Sequence, residues 1–424
     1  MRMKFSRSSQ LVLVAAASLA AATLITACET LTVDFVFVAC NKAAGSNQYG
    51  EINVFEINSE SGRMRQIPTS PFPSEGRNPV AEAVSADDQN LFVVNQDDNT
   101  IVQFAIGTDG KLYPNNTVNT PGIYPLAVAA SKANLFVVDT YQPLPLCSTA
   151  DPCSGSISVI PLAASSSCTT TVCMGTAATN PAVSAAYWPL TVPSLPNDVI
   201  VPTAVNVLAN GNFVYVTAYD ASTTTPVGYV FAFSVNSTTG ALTAVSGSPF
   251  QPSATVNEVK VYLAQPSAIA SDAKNSYVYV TDTKNGSVWG FSIGSTGALT
   301  ALSGVPYKAG GAPSGVVVDP TYAYVYVSNA TDATVTAYSM TSGVLTPINN
   351  YSTGLQPVAI GIDPSTNHFL FTVNFLENTV SDFELSTSEG TLLDAQYSPY
   401  GTSAQPVAAA AVPHNGTGSG IQSQ

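Results

Sequence analysis

The chain has 424 residues, of which charged residues make up only 9%, whereas a typical soluble domain carries about 25%. With 13 Lys and Arg against 27 Asp and Glu, the net charge is -14, so the chain lacks the basic patches that neutralise nucleic-acid phosphates. We therefore expect no nucleic-acid partner. Hydrophobic residues reach 45%, with 29 Gly and 29 Pro. This mixture is too apolar for disorder and too interrupted for long helices, and it predicts short strands joined by turns.

The N-terminal segment 1–27 is built like an export signal, with three basic residues, an apolar stretch from Leu11 to Ile25, and then small residues. Its end, Ile25-Thr26-Ala27-Cys28, resembles the bacterial lipobox, in which the cysteine is acylated before cleavage. We expect a lipoprotein signal peptide, lipidation of Cys28, and a short membrane tether over 28–34. The protein would then be exported and anchored in a membrane, facing the periplasm or the cell surface. The alternative is an ordinary signal peptide followed by a coincidental cysteine.

The other five cysteines fall into two close pairs and one single residue. In an oxidising compartment the short separations predict the disulfides Cys147–Cys153 and Cys168–Cys173. Cys40 remains unpaired, and we expect it to be a small apolar strand residue. No spacing of His and Cys resembles a zinc site, so no metal and no other cofactor are expected.

Three landmarks recur in a fixed order along the chain. The first is P-x-A or P-x-G, which opens a short apolar run at Pro79, Pro125, Pro202, Pro266, Pro313, Pro357 and Pro406. The second is a β-rich run, which begins at Phe35, Leu91, Leu135, Phe213, Tyr277, Tyr324 and Phe369. The third is a strand, a glycine turn and another strand, with glycines at Gly62, Gly110, Gly240, Gly297, Gly343 and Gly390. Each unit therefore contains four short strands, and repeating such units radially buries both faces of every sheet.

The order of the landmarks also predicts how the ring closes. The first β-rich run has no P-x-A before it, and the last P-x-A has no β-rich run after it. Segment 405–412 should therefore be the inner strand of the first blade. We predict an all-β protein, a seven-bladed β-propeller of four-stranded antiparallel blades over 35–412, closed by the C-terminal strand in blade one. The segment 413–424 is rich in Gly and Ser and reads as a disordered tail.

Two blades depart from the repeat. Blade three lacks the turn glycine and carries a cysteine-containing insertion at about 141–196, so its disulfides are expected to replace the turn. A second insertion, Thr255 to Leu263, precedes Pro266.

Runs such as YVYVTDTKNGSVWGFSIGSTGALT and SGVVVDPTYAYVYVSNATDATVTAYS resemble the seven-bladed propellers of the lactonase family and the related YVTN-repeat surface proteins. The resemblance implies the fold and, for some members, phosphogluconolactonase activity. Those members have a His shortly after the strand-opening proline and an N-E-L after the β-rich run. This chain has Ala or Gly at the first place and Asp97, Lys284 or Asp332 near the second, so the functional residues do not carry over. We do not expect phosphogluconolactonase activity.

Opening a lactone with water requires a base or nucleophile and an electrophilic partner for the oxyanion. The last Arg is Arg77, and the only histidines, His368 and His414, are predicted to lie away from the ligand face of a propeller. Polar residues beside the strand-opening prolines are the ligand-binding candidates, against the alternative that they are ordinary exposed loop residues: Arg77, Asn78, Tyr124, Gln265, Gln356 and Gln405.

The β-rich strands end in Asn or Asp, which offers two interpretations. These residues, Asn95, Asp139, Asp282, Asn329 and Asn374, would either form an acidic ring for a cation or cap the turn that follows. We favour capping. The aromatic side chains of the same strands, Tyr215, Tyr279, Tyr326 and Phe371, are expected in the core.

Two functions remain. The first is a lipid-anchored, non-catalytic binding or protein-interaction module at the cell envelope, a monomer with a carbohydrate or protein ligand. The second is a lactonase-type hydrolase or isomerase that acts on a neutral sugar lactone. A carboxylate of raised pKa beside a donor such as Arg77 at the channel mouth would favour the second.

Overall fold

A computed structural model of the chain describes residues 32–41, 48–143, 147, 153–164, 168–170, 172–321 and 323–414. The predicted signal peptide, Cys28 and residues 415–424 of the predicted tail lie outside them. The described residues form strands, β1 to β34 in chain order, with turns between them. They contain no helix long and apolar enough to cross a bilayer.

Seven antiparallel sheets form the seven blades predicted from the repeat. Blade one contains β34 (Pro406–Pro413), β1 (Thr32–Cys40), β2 (Glu51–Asn58), β3 (Met64–Gln66) and β4 (Phe72–Pro73). Blade two contains β5 (Pro79–Val84), β6 (Asn90–Asn95), β7 (Thr100–Ile106) and β8 (Leu112–Asn119). Blade three contains β9 (Ile123–Ala130), β10 (Asn134–Tyr141), β11 (Ser156–Ala163), β12 (Cys173–Met174) and β13 (Trp188–Pro189).

Blade four contains β14 (Ile200–Val207), β15 (Phe213–Asp220), β16 (Val227–Val235) and β17 (Leu242–Ala244). The hairpin of β18 (Ser253–Val256) and β19 (Val259–Tyr262) follows it. Blade five contains β20 (Pro266–Ser271), β21 (Tyr277–Asp282), β22 (Ser287–Ile293), β23 (Leu299–Ala301) and β24 (Tyr307–Lys308). Blade six contains β25 (Pro313–Val318), β26 (Tyr324–Asn329), β27 (Thr334–Thr341) and β28 (Val344–Ser352). Blade seven contains β29 (Pro357–Ile362), β30 (Phe369–Asn374), β31 (Thr379–Leu385), β32 (Leu392–Asp394) and β33 (Tyr400–Gly401).

Ring closure by the C-terminal strand is confirmed. The closing strand β34 pairs antiparallel with β1, with Val36 opposite Ala411 and Val38 opposite Ala409. It therefore supplies the inner strand of blade one from the far end of the chain, as the two gaps in the repeat predicted.

The core lies between neighbouring blades. Alternate residues of β1 serve two interfaces, because side chains of a strand point to opposite faces. Val36 and Val38 pack with Phe371 of blade seven, whereas Phe37 packs with Val93 of blade two. Tyr215, Tyr279, Tyr326 and Phe371 are fully buried, which confirms the predicted core aromatics.

The turn glycines have the positive φ that the sequence predicted, between 62° at Gly62 and 84° at Gly343. A second constraint is space: a Cβ on Gly297 of blade five would lie 2.4 Å from the ring of Phe213 in blade four. The glycine turn of one blade thus packs against the β-rich strand of the preceding blade.

Both predicted disulfides, Cys147–Cys153 and Cys168–Cys173, are present. Cys168–Cys173 lies in the connection from β11 to β12, where other blades have the turn glycine. Gln103 of blade two donates to the Val172 carbonyl there (2.8 Å), and the Met174 amide donates to Gln103 (3.1 Å). Cys40 is a buried free thiol.

Candidate functional site

Strand direction gives the ring two distinct faces. The strand-opening face carries the loops that lead into the first strand of each blade and the loops between second and third strands. The opposite face carries the loops between first and second strands and the turns between third and fourth strands. All six predicted ligand-binding residues lie at the strand-opening face, since each is one or two residues before a strand-opening proline; five are in loops and Tyr124 is at the start of β9.

Four of these residues have a left-handed backbone: φ is 55° at Asn78, Tyr124 and Gln356, and 57° at Gln405. Their carbonyls accept hydrogen bonds from the second-to-third loop of the same sheet. The amide of Gln96 donates to the Asn78 carbonyl and that of Phe375 to the Gln356 carbonyl, each at 2.9 Å. The backbone of these residues therefore holds the loops in place, while their half-buried or exposed side chains reach the surface.

Arg77 is already paired. Its guanidinium forms a 2.5 Å salt bridge with Asp98, and its amide donates to the same carboxylate (2.7 Å). Asp98 raises the pKa of Arg77 through this hydrogen bond and its charge. The neighbouring Asn78 side chain donates to Gln96 and Asp97. Arg77 is thus a partner of a loop carboxylate and lies outside the residues that line the channel cavity described below.

Other loop carboxylates on this face also accept hydrogen bonds from backbone amides. The Gly311 amide donates to Asp332 (2.7 Å) and the Leu355 amide to Glu377 (3.0 Å). These acidic side chains therefore accept backbone donors of the adjacent loop.

The strand-end Asn and Asp residues are buried. Capping of the turn that follows is seen at Asp282, which accepts the Asn285 amide (3.4 Å), but the shorter backbone hydrogen bonds come from the loop that leads into the first strand of the same blade. Asp282 accepts the amides of Ala264 (2.9 Å) and Gln265 (3.1 Å), and Asn329 accepts that of Gly310 (3.0 Å). Burial raises the pKa of Asp139 to about 7. Nowhere in the described ranges do three His, Cys, Asp or Glu side chains lie close enough to hold a metal ion.

A cavity of about 160 Å³ lies on the ring axis, lined by the first strands of the blades. Half-buried side chains one residue after the prolines surround its entrance, and they include Val80, Thr203, Ser267 and Ser314. Deeper in the cavity is Glu82 of β5, which is only 3% exposed.

Glu82 is the residue that sequence reasoning missed. Neither carboxylate oxygen has a hydrogen-bond partner of ordinary geometry. Burial raises its pKa well above the usual value, and the nearby Ala410 backbone acts in the opposite direction. The available signal was a break in the repeat, because the residue three positions after the strand-opening proline is apolar in every other blade: Val128, Val205, Ile269, Val316, Ile360 and Ala409.

The histidines lie away from the strand-opening face. His368 occupies the turn between β29 and β30, and His414 follows β34, where its ring lies 5.2 Å from that of Phe35. A cavity of about 700 Å³ beside His414 is also lined by Asp88, another residue that the sequence analysis did not identify. Burial and the neighbouring charge of Asp87 raise the pKa of Asp88 to about 7.

Exposed apolar side chains are concentrated on the strand-opening face. Of the twelve large ones in the described part of the chain, eight lie in its loops, in the inserted hairpin or at the start of β9: Tyr49, Tyr124, Leu195, Val256, Val259, Tyr262, Leu355 and Leu376. Leu355 and Leu376 are 57% and 63% exposed and adjacent, since the Leu376 amide donates to the Leu355 carbonyl (3.3 Å). Val256, Val259 and Tyr262 belong to the inserted hairpin, whose Ala254 and Val261 pack against the core instead.

Comparison with solved structures finds the same fold in distant proteins. A putative 6-phosphogluconolactonase from Bacteroides fragilis matches with a TM-score of 0.65 at 20% identity, covering 90% of this chain and 98% of its own. The periplasmic gluconolactonase PpgL of Pseudomonas aeruginosa matches with a TM-score of 0.62 at 16% identity, covering 89% and 99%. No curated protein sequence matches the chain. At these identities the likeness concerns the fold alone.

A family model gives the stronger result. The model described as lactonase, 7-bladed beta-propeller matches residues 36–180, 209–362 and 269–409. Together these ranges cover most of the ring, including blade seven and the closing strand. The chain belongs to the seven-bladed β-propeller lactonase family.

Proposed function

We propose that this protein is a non-catalytic member of its family, an envelope propeller that binds a protein partner on its strand-opening face. The observation that carries the proposal is the concentration of exposed apolar side chains there, eight of the twelve in the described residues. Large exposed apolar side chains grouped on one surface are typical of protein interaction sites. A carbohydrate, in contrast, would need free polar groups, and several of those on this face are bound to each other.

The chemistry of the same face supports a binding role. Lactone hydrolysis needs a cation or donor free to meet the oxyanion, but Arg77 is paired with Asp98. The loop carboxylates Asp332 and Glu377 are occupied by backbone amides. The strand-opening face therefore offers a partner apolar contacts beside polar loop residues that are already paired.

Photo-crosslinking in intact cell envelopes tests this proposal. A photoreactive amino acid at Tyr262, Leu355 or Tyr124 should give an adduct of one common mass. The same residue at Tyr113 or Leu393, which are exposed but lie outside this face, is the matched control and should give none. Leu376→Ser should weaken the adduct from Leu355 by at least about fivefold if Leu376 belongs to the interface. Equal adducts from both sets of positions, or none from either, would refute a partner on this face.

Lipid anchoring is part of the proposal. The lipobox-like segment places the acylated residue at Cys28, and β1 begins at Thr32 on the opposite face. Four residues of extended chain span about 14 Å. An anchor there would hold the opposite face toward the membrane and turn the strand-opening face outward, where a partner has access. In lipidated protein, a cysteine introduced at Gln356 should react with a bulky reagent faster than one at Asn367. The reverse order would exclude this orientation.

A second candidate function is hydrolysis of a neutral lactone, and one observation favours it. The cavity beside His414 combines an imidazole with Asp88, a carboxyl whose pKa of about 7 suits proton transfer near neutrality. This cavity lies on the opposite face, and His414, which lines it, adjoins a segment outside the described ranges. The binding role remains the better supported of the two.

A further inference from the structure

The cavity on the ring axis, called the channel cavity here, contains a buried carboxyl group that has no part in the proposed function. Glu82 contributes two carboxylate oxygens, neither of which has a hydrogen-bond partner of ordinary geometry, and its side chain is only 3% exposed. It extends from β5 toward the alanine-rich closing strand, and Ala410 packs in the same cluster as Val84 and Val93 of blade two. The small side chains of the closing strand leave room for a larger one at this position.

The hydroxyl groups at the entrance are also acceptors. The Ser267 hydroxyl lies 2.7 Å from both the Pro313 carbonyl and the Thr281 hydroxyl, and the Ser314 hydroxyl lies 2.6 Å from the Pro357 carbonyl and 3.0 Å from the Ser328 hydroxyl. Thr203 lies 2.9 Å from the Thr217 hydroxyl and 3.2 Å from the Thr217 carbonyl. A hydroxyl has one proton and two lone pairs, so each oxygen that donates to a carbonyl and accepts from its neighbour keeps one lone pair for a ligand.

No Lys or Arg is among the described residues that line the cavity. Leu126, Val358 and Val407 occupy the same position after the proline in other blades, so together with Val80 they make the rest of the entrance apolar. A buried carboxylate requires either a proton or a cation. The cavity therefore combines a carboxyl group, three hydroxyl oxygens and apolar side chains without a protein cation.

We propose that the channel cavity binds a small aliphatic primary ammonium ion, with Glu82 as its counter-ion. An ammonium group has three donors and no acceptor, which matches one carboxylate accompanied by hydroxyl oxygens. Ca²⁺ or Mg²⁺ fits less well because each takes six or more oxygens, usually with several carboxylates or waters, and the described residues of the lining include no His or Cys for zinc. At about 30 Å³ for each water-sized group, a volume of 160 Å³ accommodates about five heavy atoms.

Binding should release a proton. The neutral Glu82 carboxyl ionises as the ammonium ion enters, the proton passes to the buffer, and the carboxylate then pairs with the ligand. The titratable neighbour from blade one is Cys40 of β1, whose pKa is raised by burial, by the charge of Glu82 and by Glu51. That thiol stays neutral in both states, so the proton originates from Glu82.

Isothermal titration with n-propylammonium chloride tests the site. The wild-type protein should bind it saturably with one site, and the heat should depend on the ionisation enthalpy of the buffer, which reports up to about one proton released. The uncharged isostere propan-1-ol should not bind. In Glu82→Gln, which keeps the shape of the side chain, affinity should fall at least about tenfold, and Glu82→Val should behave alike.

Two controls make the result decisive. Glu389→Gln removes an exposed carboxylate on the opposite face and should bind as the wild type does, which excludes general attraction to an acidic protein. Thermal unfolding of each variant shows that it is folded. Failure of the wild type to bind saturably, or equal affinity in Glu82→Gln, would overturn the proposal and leave a cavity that holds water only. Neither outcome affects the crosslinking test of the strand-opening face.

Discussion

At the residue scale, tyrosines of the β-rich strands connect successive blades. The hydroxyls of Tyr215, Tyr279 and Tyr326 donate to the carbonyls of the turn glycines of the next blade, Gly297, Gly343 and Gly390. All three tyrosines are fully buried, and burial raises their pKa. The sequence predicted their place in the core from strand alternation. It did not predict the hydrogen bond, because the acceptor is a backbone atom 64 residues away in the case of Tyr279.

We expect Tyr279→Phe to lower the free energy of unfolding by about 1–2 kcal/mol, because the Gly343 carbonyl loses its donor in a buried place. Urea denaturation of the purified protein measures this. Tyr262→Phe removes a hydroxyl from an exposed ring and should change stability by less than about 0.5 kcal/mol. A Tyr279→Phe protein as stable as the wild type would show that the bond contributes nothing.

Glu82 shows the limit of prediction at this scale. In the sequence Glu82 is the one polar residue of the segment PVAEAV, and a polar residue in a short strand usually faces solvent. Its burial follows from the pairing of β5 with β6 and from the alanines of a strand more than 300 positions later. The strand-opening polar residues were easier to place, because the proline beside each one fixes its position in the repeat.

At the element scale, the closing strand β34 is the connection on which the ring depends. It contributes Ala409 and Ala411 to the interface with blade seven, and Ala410 and Val412 to the interface with blade two. The repeat predicted this closure because two gaps at opposite ends of the sequence complement each other. The inserted hairpin β18–β19 was recognised only as an insertion, because four residues in each strand give too little periodicity to assign.

Deleting everything after Ser403 should therefore abolish cooperative unfolding, because blade one loses its inner strand and two interfaces lose their apolar partners. Circular dichroism during urea denaturation gives the measurement. The matched control deletes only residues 415–424, which follow the closing strand, and should unfold like the full chain. A protein truncated after Ser403 with a sharp, unshifted transition would contradict the account of closure.

At the scale of the whole molecule, several buried carboxyl groups have a raised pKa. Burial and the charge of Asp363 raise the pKa of Asp34 to about 9. Asp88 and Asp139 reach about 7. Burial likewise raises the pKa of Glu82 and Asp382. A carboxyl with a higher pKa in the folded state binds more protons there than in the unfolded chain, so its contribution is complete below about pH 4 and is lost as the pH rises toward the folded value.

Stability should therefore increase as the pH falls from 8 to 5, opposite to the direction set by carboxylates in salt bridges. We expect the melting temperature to rise by about 5 °C or more across this range, with the net charge of -14 acting in the same direction. Scanning calorimetry at several pH values measures it. Glu82→Gln should flatten the pH dependence, whereas Glu389→Gln should not. A melting temperature that falls between pH 8 and pH 5 would contradict the assignment of these groups as buried and neutral.

The central claim is that this lactonase-family ring binds a partner without lactonase chemistry. The most direct measurement follows hydrolysis of neutral sugar δ-lactones, such as glucono-δ-lactone, by the purified protein at mildly acidic pH, with Asp88→Asn and Glu82→Gln beside the wild type. We expect rates equal to the spontaneous rate for all three proteins. Saturable hydrolysis by the wild type that disappears in Asp88→Asn or in Glu82→Gln would contradict it and assign catalysis to the corresponding cavity.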